Sequence, residues 1–477
     1  MNILKTQSHI AGQWQEGQSQ EVLCVLDKYH QTPLAEIRLA SPAQMEQALA
    51  ASITGFGHIR TWSAGKRAAH LEKLHQQLAH HQDDFVELII AEAGKPRTYA
   101  HTEVARGLAT LEAAIRQTYA GAGEVVGMDF GAGEGHTAFT RRFPIGPVAC
   151  ITPFNFPLNL ALHKIAPALA VGNSFILKPP PQAPLTALAL MALIEEAGYP
   201  VGVGQVVVCD VATAQMMVHD PRPRMLSFTG SASVGWQLKN QAGKKKIALE
   251  LGGNAAVVID ETADWEAALP TLAQSIYLYA GQICISTQRL IVVKAIYEAF
   301  KSKFLEEIAK IVTGNPYEPA CVNGPLIDAA NLRRVQTWVD EARAGGAVAL
   351  CGGQVADETH HLYAPTLLEQ APPNSKVVAE EVFAPLGVLQ KAEDFRQALQ
   401  MANQSRYGLQ AGVYTRDLHR MQEAFETLEV GGLIINRPPG FRMDVMPYGG
   451  VKDSGLGREG LRYAMEEMSE ARLLVFK

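Results

Sequence analysis

The residues best suited to do chemistry are one carboxylate and one thiol. Glu250 ends an apolar stretch, Ile247-Ala-Leu-Glu250-Leu-Gly252-Gly253-Asn254, that reads as a strand running into a Gly-Gly turn. Cys284 stands 34 positions later in a glycine-led loop, Ala280-Gly-Gln-Ile-Cys284-Ile-Ser286. Between them lie a second apolar run at 255–260 and a helix-like segment at 263–280. A strand, a helix and a return loop of that length can bring both groups to one edge of a sheet. Thiol attack, followed by release with water activated by the carboxylate, is the covalent chemistry such a pair supports. The competing reading is structural, since buried cysteines are mostly inert small hydrophobes and Glu250 could cap the turn after it.

The surrounding elements must hold that pair. Apolar runs at 147–152, 174–177, 205–209 and 225–228 alternate with helix-like segments at 158–171, 185–197, 212–219 and 233–241, which predicts a doubly wound parallel α/β sheet. A second alternation follows Gly253, with apolar runs at 257–259, 289–293, 347–350 and 386–389 and a helix at 295–312. The domain boundary is placed at Gly252-Gly253. Upstream, 9–14 and 22–26 read as short strands and 42–120 as helical. Within 64–93 one repeating face carries Ala68, Leu71, Leu74, Leu78, Phe85 and Leu88, and Gly94-Lys-Pro96 stops it. A glycine-framed excursion from 121 ends in an alternating polar strand at 136–143.

Open α/β sheets bind ligands at the carboxyl ends of their strands. Two such ends carry signals here. One strand finishes in Lys178, followed by the rigid Pro179-Pro180-Pro181; another runs into Thr229-Gly230-Ser231, a glycine turn opening a helix whose free N–H groups suit a pyrophosphate. The strict GxGxxG fingerprint of ordinary Rossmann dehydrogenases is absent. Lys178 alone could be a solvated strand end, but both signals on one sheet favour a dinucleotide.

Composition narrows the field. The 477 residues are 47% hydrophobic and 19% charged, as in an ordinary globular protein, with room for two or three domains. A net charge of −6 gives no electrostatic reason to expect nucleic acid. Six cysteines lie far apart with no CxxC pair, so neither a zinc or other metal site nor a disulfide framework is expected, and a reducing cytoplasm fits. The first residues lack the apolar core of a signal peptide, and no run of about twenty apolar residues suggests a membrane span.

The motifs together resemble the aldehyde dehydrogenase superfamily over nearly the whole chain. They are Thr152-Pro-Phe-Asn155-Phe-Pro157, Ile176-Leu-Lys178-Pro179, Phe228-Thr-Gly230-Ser231, Glu250-Leu-Gly-Gly-Asn254, Gly281-Gln-Ile-Cys284, Glu380-Glu381-Val-Phe383-Ala-Pro385 and Pro447-Tyr-Gly-Gly-Val-Lys-Asp-Ser-Gly455-Leu-Gly-Arg-Glu459, in the family's order and spacing. The resemblance implies that Cys284 attacks the aldehyde, that the Asn155 amide and the Cys284 backbone N–H hold the resulting oxyanion, and that Glu250 activates the hydrolytic water. Lys164 and Glu459 look like the family's proton relay. Cofactor contacts are implied for Thr152, Pro153, Phe154, Lys178, Pro180, Pro181, Gly230, Ser231, Leu251, Gly252, Glu381 and Phe383. The presence of Glu250 favours hydrolysis to the free acid over transfer to coenzyme A.

Three parts follow from the same resemblance: a Rossmann-type cofactor domain over 1–121 and 145–252, a catalytic domain over 253–466, and a small β flap over 122–144 and 467–477. The flap would build a homodimer or homotetramer, because an isolated strand pair is marginal in water. Where NAD-preferring relatives carry a glutamate three places after the lysine, this chain has Pro181. Proline does not repel a 2′-phosphate, so NADP is expected to serve at least as well as NAD. The substrate pocket is expected from Phe156, Leu160, His163, Ile283, Ile285, Phe441 and Arg442. The stretch around 444–460 looks most like the lactaldehyde and glycolaldehyde branch, which implies a small uncharged, 2-hydroxylated aldehyde; His163 could donate to its hydroxyl or merely fill space on its helix. The alternatives are a small anionic aldehyde (semialdehyde, phosphonoacetaldehyde or glyceraldehyde-3-phosphate type) held by Arg442, which as a loop residue before Met446-Pro447 could instead be a solvated surface arginine, and a catalytically silent scaffold.

Overall fold

In the computed structural model, which describes residues 4–121 and 123–477, two α/β sheets stand side by side. The first has eight strands in the order Gln13–Gln15, Ser8–Ile10, Gly204–Val206, Phe175–Lys178, Val148–Ile151, Met225–Thr229, Lys246–Glu250 and Gly455–Leu456. The chain winds outward from Val148–Ile151 in one direction, then returns to Met225–Thr229 on its other side. All five strands from Gly204–Val206 to Lys246–Glu250 are parallel. The reversal between Val148–Ile151 and Met225–Thr229 is a topological switch point, and Ile151 is level with Phe228 there, so the loops at Thr152 and Thr229 open the same crevice.

The second sheet has seven strands in the order Val348–Cys351, Thr366–Glu369, Leu386–Ala392, Thr287–Val293, Ala255–Ile259, Gln410–Tyr414 and Gly432–Ile435. Residues 455–466, expected with this sheet, lie on the first one instead. Gly455–Leu456 pairs antiparallel with Leu249-Glu250, and the Leu461–Glu467 helix buries Leu461 and Met465 in the first sheet's core. The chain thus comes back to lay its last motif against the strand that carries Glu250. Ser469–Phe476 then pairs along its length with Thr137–Pro144, which also holds Val125–Val126, in a separate three-stranded sheet.

Several local expectations change. The single strand at 9–14 is a hairpin, turned by Ala11 and Gly12, both at positive φ. The helix over 64–93 is two helices, Ala64–His80 and Gln82–Ala93, broken at His81 where ψ reaches 17°; the predicted apolar face stays buried across the break. Gly94, at φ 66°, caps it. The helix before Cys284 ends at Tyr277 rather than 280, because Tyr279, Ala280 and Gly281 take positive φ in succession (54°, 52° and 66°). Two non-glycine residues in that region cost about 1–3 kcal/mol each, so the surroundings must impose it. Tyr279 and Ala280 are fully buried, and the Tyr279 hydroxyl donates to the Ala93 carbonyl at 2.9 Å. This turn redirects the chain into the loop that bears the thiol. Among the described residues no helix is long and apolar enough to cross a membrane, no group of side chains is arranged to hold a metal, and all six cysteines are free.

Candidate active site

Glu250 is the last residue of its strand, and its carboxylate is buried with neither oxygen hydrogen-bonded to protein. Burial first, and the neighbouring Glu459 second, hold it well above the usual carboxylate range. The Gly252-Gly253 turn after it packs directly on the Cys284 loop: a β-carbon at Gly253 would sit 2.5 Å from the Cys284 carbonyl oxygen. The glycine pair therefore permits the approach that brings thiol and carboxylate together.

Cys284 lies at the wall of a cavity of about 240 Å³. Burial pushes its thiol up to about 11, opposed chiefly by a hydrogen bond with the Tyr448 hydroxyl, 3.1 Å away. Asn155 is buried and donates from Nδ2 to the Gln282 carbonyl at 2.9 Å, which leaves its second N–H free. The backbone N–H of Cys284 donates to no protein acceptor among the described residues. Two unused donors thus lie on or against the loop that carries the thiol.

Beneath them runs a chain of buried charges. Lys164 Nζ lies 3.3 Å from Glu459 Oε1 and donates to Ser227 Oγ at 3.0 Å. Burial works against ionising Glu459, but Lys164, His163 and Arg442 together hold its carboxyl well below the usual range. Arg442 reaches Glu459 Oε2 at 3.2 Å and His163 Nδ1 at 2.8 Å, and stacks 3.6 Å over the Tyr448 ring. His163 Nε2 faces Asp444 Oδ1 at 3.0 Å, and Asp444 in turn takes hydrogen bonds from Arg106 at 3.1 Å and Thr110 at 2.7 Å.

Of the expected pocket residues, Phe156, Leu160, Ile283, Ile285, Phe441 and Arg442 line the cavity. His163 does not. Its side chain is 1% exposed and is spent on Asp444, Glu459 and Arg442, so it cannot serve as a donor to a substrate hydroxyl. Arg442, read as a possible solvated loop residue, has a side chain only 7% exposed. The sequence reading missed Tyr448, Arg106, Asn159 and Glu103, which also line the cavity. Tyr448 stands inside the quoted Pro447-Tyr-Gly-Gly motif and could have been found there. Arg106 is one arginine on a long surface-facing helix, Arg97–Ala120, and had no local signal.

At the switch point the expected dinucleotide contacts converge. Thr152, Pro153 and Phe154 leave the Val148–Ile151 strand, and Lys178 ends its neighbour with Pro180 buried and Pro181 exposed behind it. Ser231 is the N-cap of the ten-residue Ala232–Gln241 helix and makes no side-chain cap bond, so that helix start keeps free donors. The Thr152 and Thr229 hydroxyls are buried without partners. From the second sheet, Glu381 accepts from the Gly253 N–H at 3.1 Å, and Phe383 meets Phe154 edge-on at 6.0 Å between centroids. A side chain at Gly252 would collide with the Glu381 carboxylate, and Leu251 packs beside the Gly235 backbone. Orphaned hydroxyls, a free helix start and a glycine cradle fit a dinucleotide.

The first, doubly wound sheet thus ends in a buried carboxylate whose glycine turn packs on the thiol-bearing loop of the second sheet. The chain belongs to the aldehyde dehydrogenase family, whose sequence profile matches residues 14–474, and is an oxidoreductase acting on aldehydes. It is 39% identical over 469 residues to the 3-sulfolactaldehyde dehydrogenase of Priestia megaterium, covering 98% of this chain and 97% of that one. It is 35% identical over 468 residues to the lactaldehyde dehydrogenase of Methanococcus vannielii, covering 95% and 97%. Among solved structures it is similar to aldehyde dehydrogenase 21 of Physcomitrella patens in complex with the reaction product succinate, with 36% identity, a TM-score of 0.95 and coverage of 99% and 98%. It is also similar to the glyceraldehyde-3-phosphate dehydrogenase of Methanocaldococcus jannaschii complexed with NADP, with 34% identity, a TM-score of 0.91 and coverage of 95% and 98%.

Proposed function

We propose that this enzyme oxidises a short aldehyde to the free carboxylic acid with NAD(P), through an acyl group carried on Cys284. The observation that carries this reading is the Cys284 thiol at the cavity wall, on a loop that the Asn155 amide contacts at Gln282 and that the Gly252-Gly253 turn after Glu250 packs against. The Cys284 sulfur attacks the aldehyde carbon, and the oxygen takes the negative charge. The free N–H of Asn155 and the Cys284 backbone N–H hold that oxyanion, each such donor being worth about 10²–10³ in rate. Thr152, Lys178, Gly230 and Ser231 would bind the dinucleotide, with Glu381 and Phe383 closing over it from the second sheet. The chemistry the dinucleotide supplies when bound is acceptance of hydride from the former aldehyde carbon. Glu250, once ionised, takes a proton from the water that cleaves the thioester. Lys164 and Glu459, in contact at 3.3 Å, pass that proton onward.

The substrate class is read from charge. In the ion chain behind the cavity Lys95, Lys164, Glu103, Asp444 and Glu459 pair with one another and with Arg106 and Arg442, and those two arginines reach the cavity wall. Arg106 lines the cavity with its side chain 28% exposed. This favours a short aldehyde with an anionic group at its far end, in line with the sulfonated substrate named for one relative and the succinate bound to another. The uncharged 2-hydroxyaldehyde remains the second reading, favoured by the apolar walls and by the lactaldehyde relative. It loses the hydroxyl donor it rested on, since His163 faces away.

For the cofactor, Pro181 brings no carboxylate toward Lys178, and the nearby Asp210 is occupied in capping a helix through the Thr213 N–H. That supports NADP as at least the equal of NAD. Acid quench during turnover, followed by mass spectrometry of the Cys284 peptide, is expected to trap the acyl adduct. No adduct in wild type or in Glu250→Gln, where hydrolysis is slowed, rejects the covalent route. A preference for NAD above about tenfold in kcat/KM rejects the cofactor reading.

A further inference from the structure

We propose that Tyr448 is a catalytic residue whose phenol donates a hydrogen bond to the Cys284 sulfur and stabilises it as the attacking thiolate. The inference rests on the reading of Cys284 as the nucleophile. The hydroxyl lies 3.1 Å from Sγ, and Tyr448 is buried. Two restraints aim it. Its backbone exchanges both hydrogen bonds with Glu459, and the Arg442 guanidinium stacks 3.6 Å over its ring. Once the sulfur has lost its proton it can only accept, so the phenol must be the donor.

The surroundings show why such a donor is needed. Ile283 and Ile285 flank the sulfur with apolar surface, and a buried anion without a donor is strongly disfavoured. The charged or ionisable groups facing Cys284 besides Tyr448 are Glu381, Arg442 and Glu250. Glu381 and Glu250 oppose a thiolate whenever they ionise. Arg442 favours it, but its charge is shared with Glu459. The phenol is therefore the neutral donor that offsets burial at the sulfur. In the step itself the S–H proton leaves to solvent and the electron pair stays on sulfur. The S–C bond forms as the carbonyl π bond breaks toward oxygen, and Tyr448 keeps its proton throughout. The bland alternative is packing, since the Tyr448 ring also belongs to a small apolar cluster with Ile285 and Leu409.

Tyr448→Phe separates the two roles, because it keeps the ring, the stack and the backbone bridge and removes only the O–H. The full-length protein is alkylated with iodoacetamide as a function of pH, with Cys284→Ser subtracting the other cysteines. The expected result is an apparent thiol pKa about one unit higher in Tyr448→Phe, seen as about tenfold slower alkylation from pH 7 to 9. A similar loss in kcat/KM for the aldehyde is expected, with melting temperature and KM for the dinucleotide unchanged. An alkylation profile that superimposes on wild type overturns the proposal, and so does a melting temperature that falls in step with the rate. If Cys284→Ser keeps normal turnover, the nucleophile reading falls first and takes this one with it.

Discussion

Gly253 and Cys284 touch through their backbones: a β-carbon on the glycine would stand 2.5 Å from the cysteine carbonyl oxygen, closer than real contacts allow. The turn after the Lys246–Glu250 strand of the first sheet and the Cys284 loop of the second are held together at this point. Gly253→Ala is therefore expected to displace Cys284 relative to Asn155 and Glu250. Misplacement on that scale costs about 10² in kcat, with little change in KM. Steady-state kinetics on the folded variant check it, and a kcat within twofold of wild type would show that the loop gives way freely.

Glu250 has its pKa raised by burial and by Glu459, so the folded protein binds its proton more tightly than the unfolded chain does. Stability from this group is fully present at low pH and is lost as pH rises from the unfolded value through the folded one. Glu250→Gln is expected to melt above wild type at pH 8 and to lose that advantage by pH 5. On the proposed mechanism the same titration governs catalysis, because only the ionised form can accept a proton. Wild-type thioester hydrolysis should accelerate as pH rises, while Glu250→Gln gives an NAD(P)H burst followed by slow, pH-independent turnover.

Lys164 and Glu459 are both fully enclosed and in contact. Removing one partner strands the other, which for buried pairs costs about 3–5 kcal/mol. Lys164→Met is expected to show a loss in that range by denaturant titration, softened to the extent that Arg442 still pairs with Glu459. Lys164→Met with Glu459→Gln should recover part of the loss. If the single variant is as stable as wild type, the pair contributes nothing to the fold.

Arg106 is the test of the anionic substrate. Arg106→Ala should lower kcat/KM for sulfolactaldehyde or succinate semialdehyde by about 10- to 100-fold, as expected from losing one charged hydrogen bond of about 1.5–3 kcal/mol. Lactaldehyde and propanal should change by less than about threefold. Equal losses on charged and neutral aldehydes would mean that Arg106 only anchors Asp444.

The Ser469–Phe476 strand lies at the outer edge of its three-stranded sheet and exposes Leu474 and Phe476, half-buried at best, on one face. A long apolar edge of this kind asks for a partner. The double substitution Leu474→Lys with Phe476→Lys is expected to shift a dimer or tetramer to a smaller species in light scattering. A wild-type protein that is already monomeric ends this reading.

What was legible in the sequence was local. Strand and helix alternation follows from apolar spacing along a few residues, and Cys284, Glu250 and Asn155 stand out because glycine and proline mark the turns that carry them. The tertiary structure alone decided the pairings between distant segments. Arg106 meets Asp444 338 positions away, and Arg442 meets His163 across 279. His163 shows the reason most clearly. The Asn159–Val171 helix is buried on nearly every side, so it has no polar stripe to say which face looks into the cavity and which into the charges beneath. The turn at Tyr279-Ala280 was equally hidden, because local propensity would have continued the helix. The Tyr279 hydroxyl's bond to Ala93, 186 residues earlier, its backbone N–H bond to the Val322 carbonyl and the packing around it hold the backbone in the left-handed region that delivers the thiol.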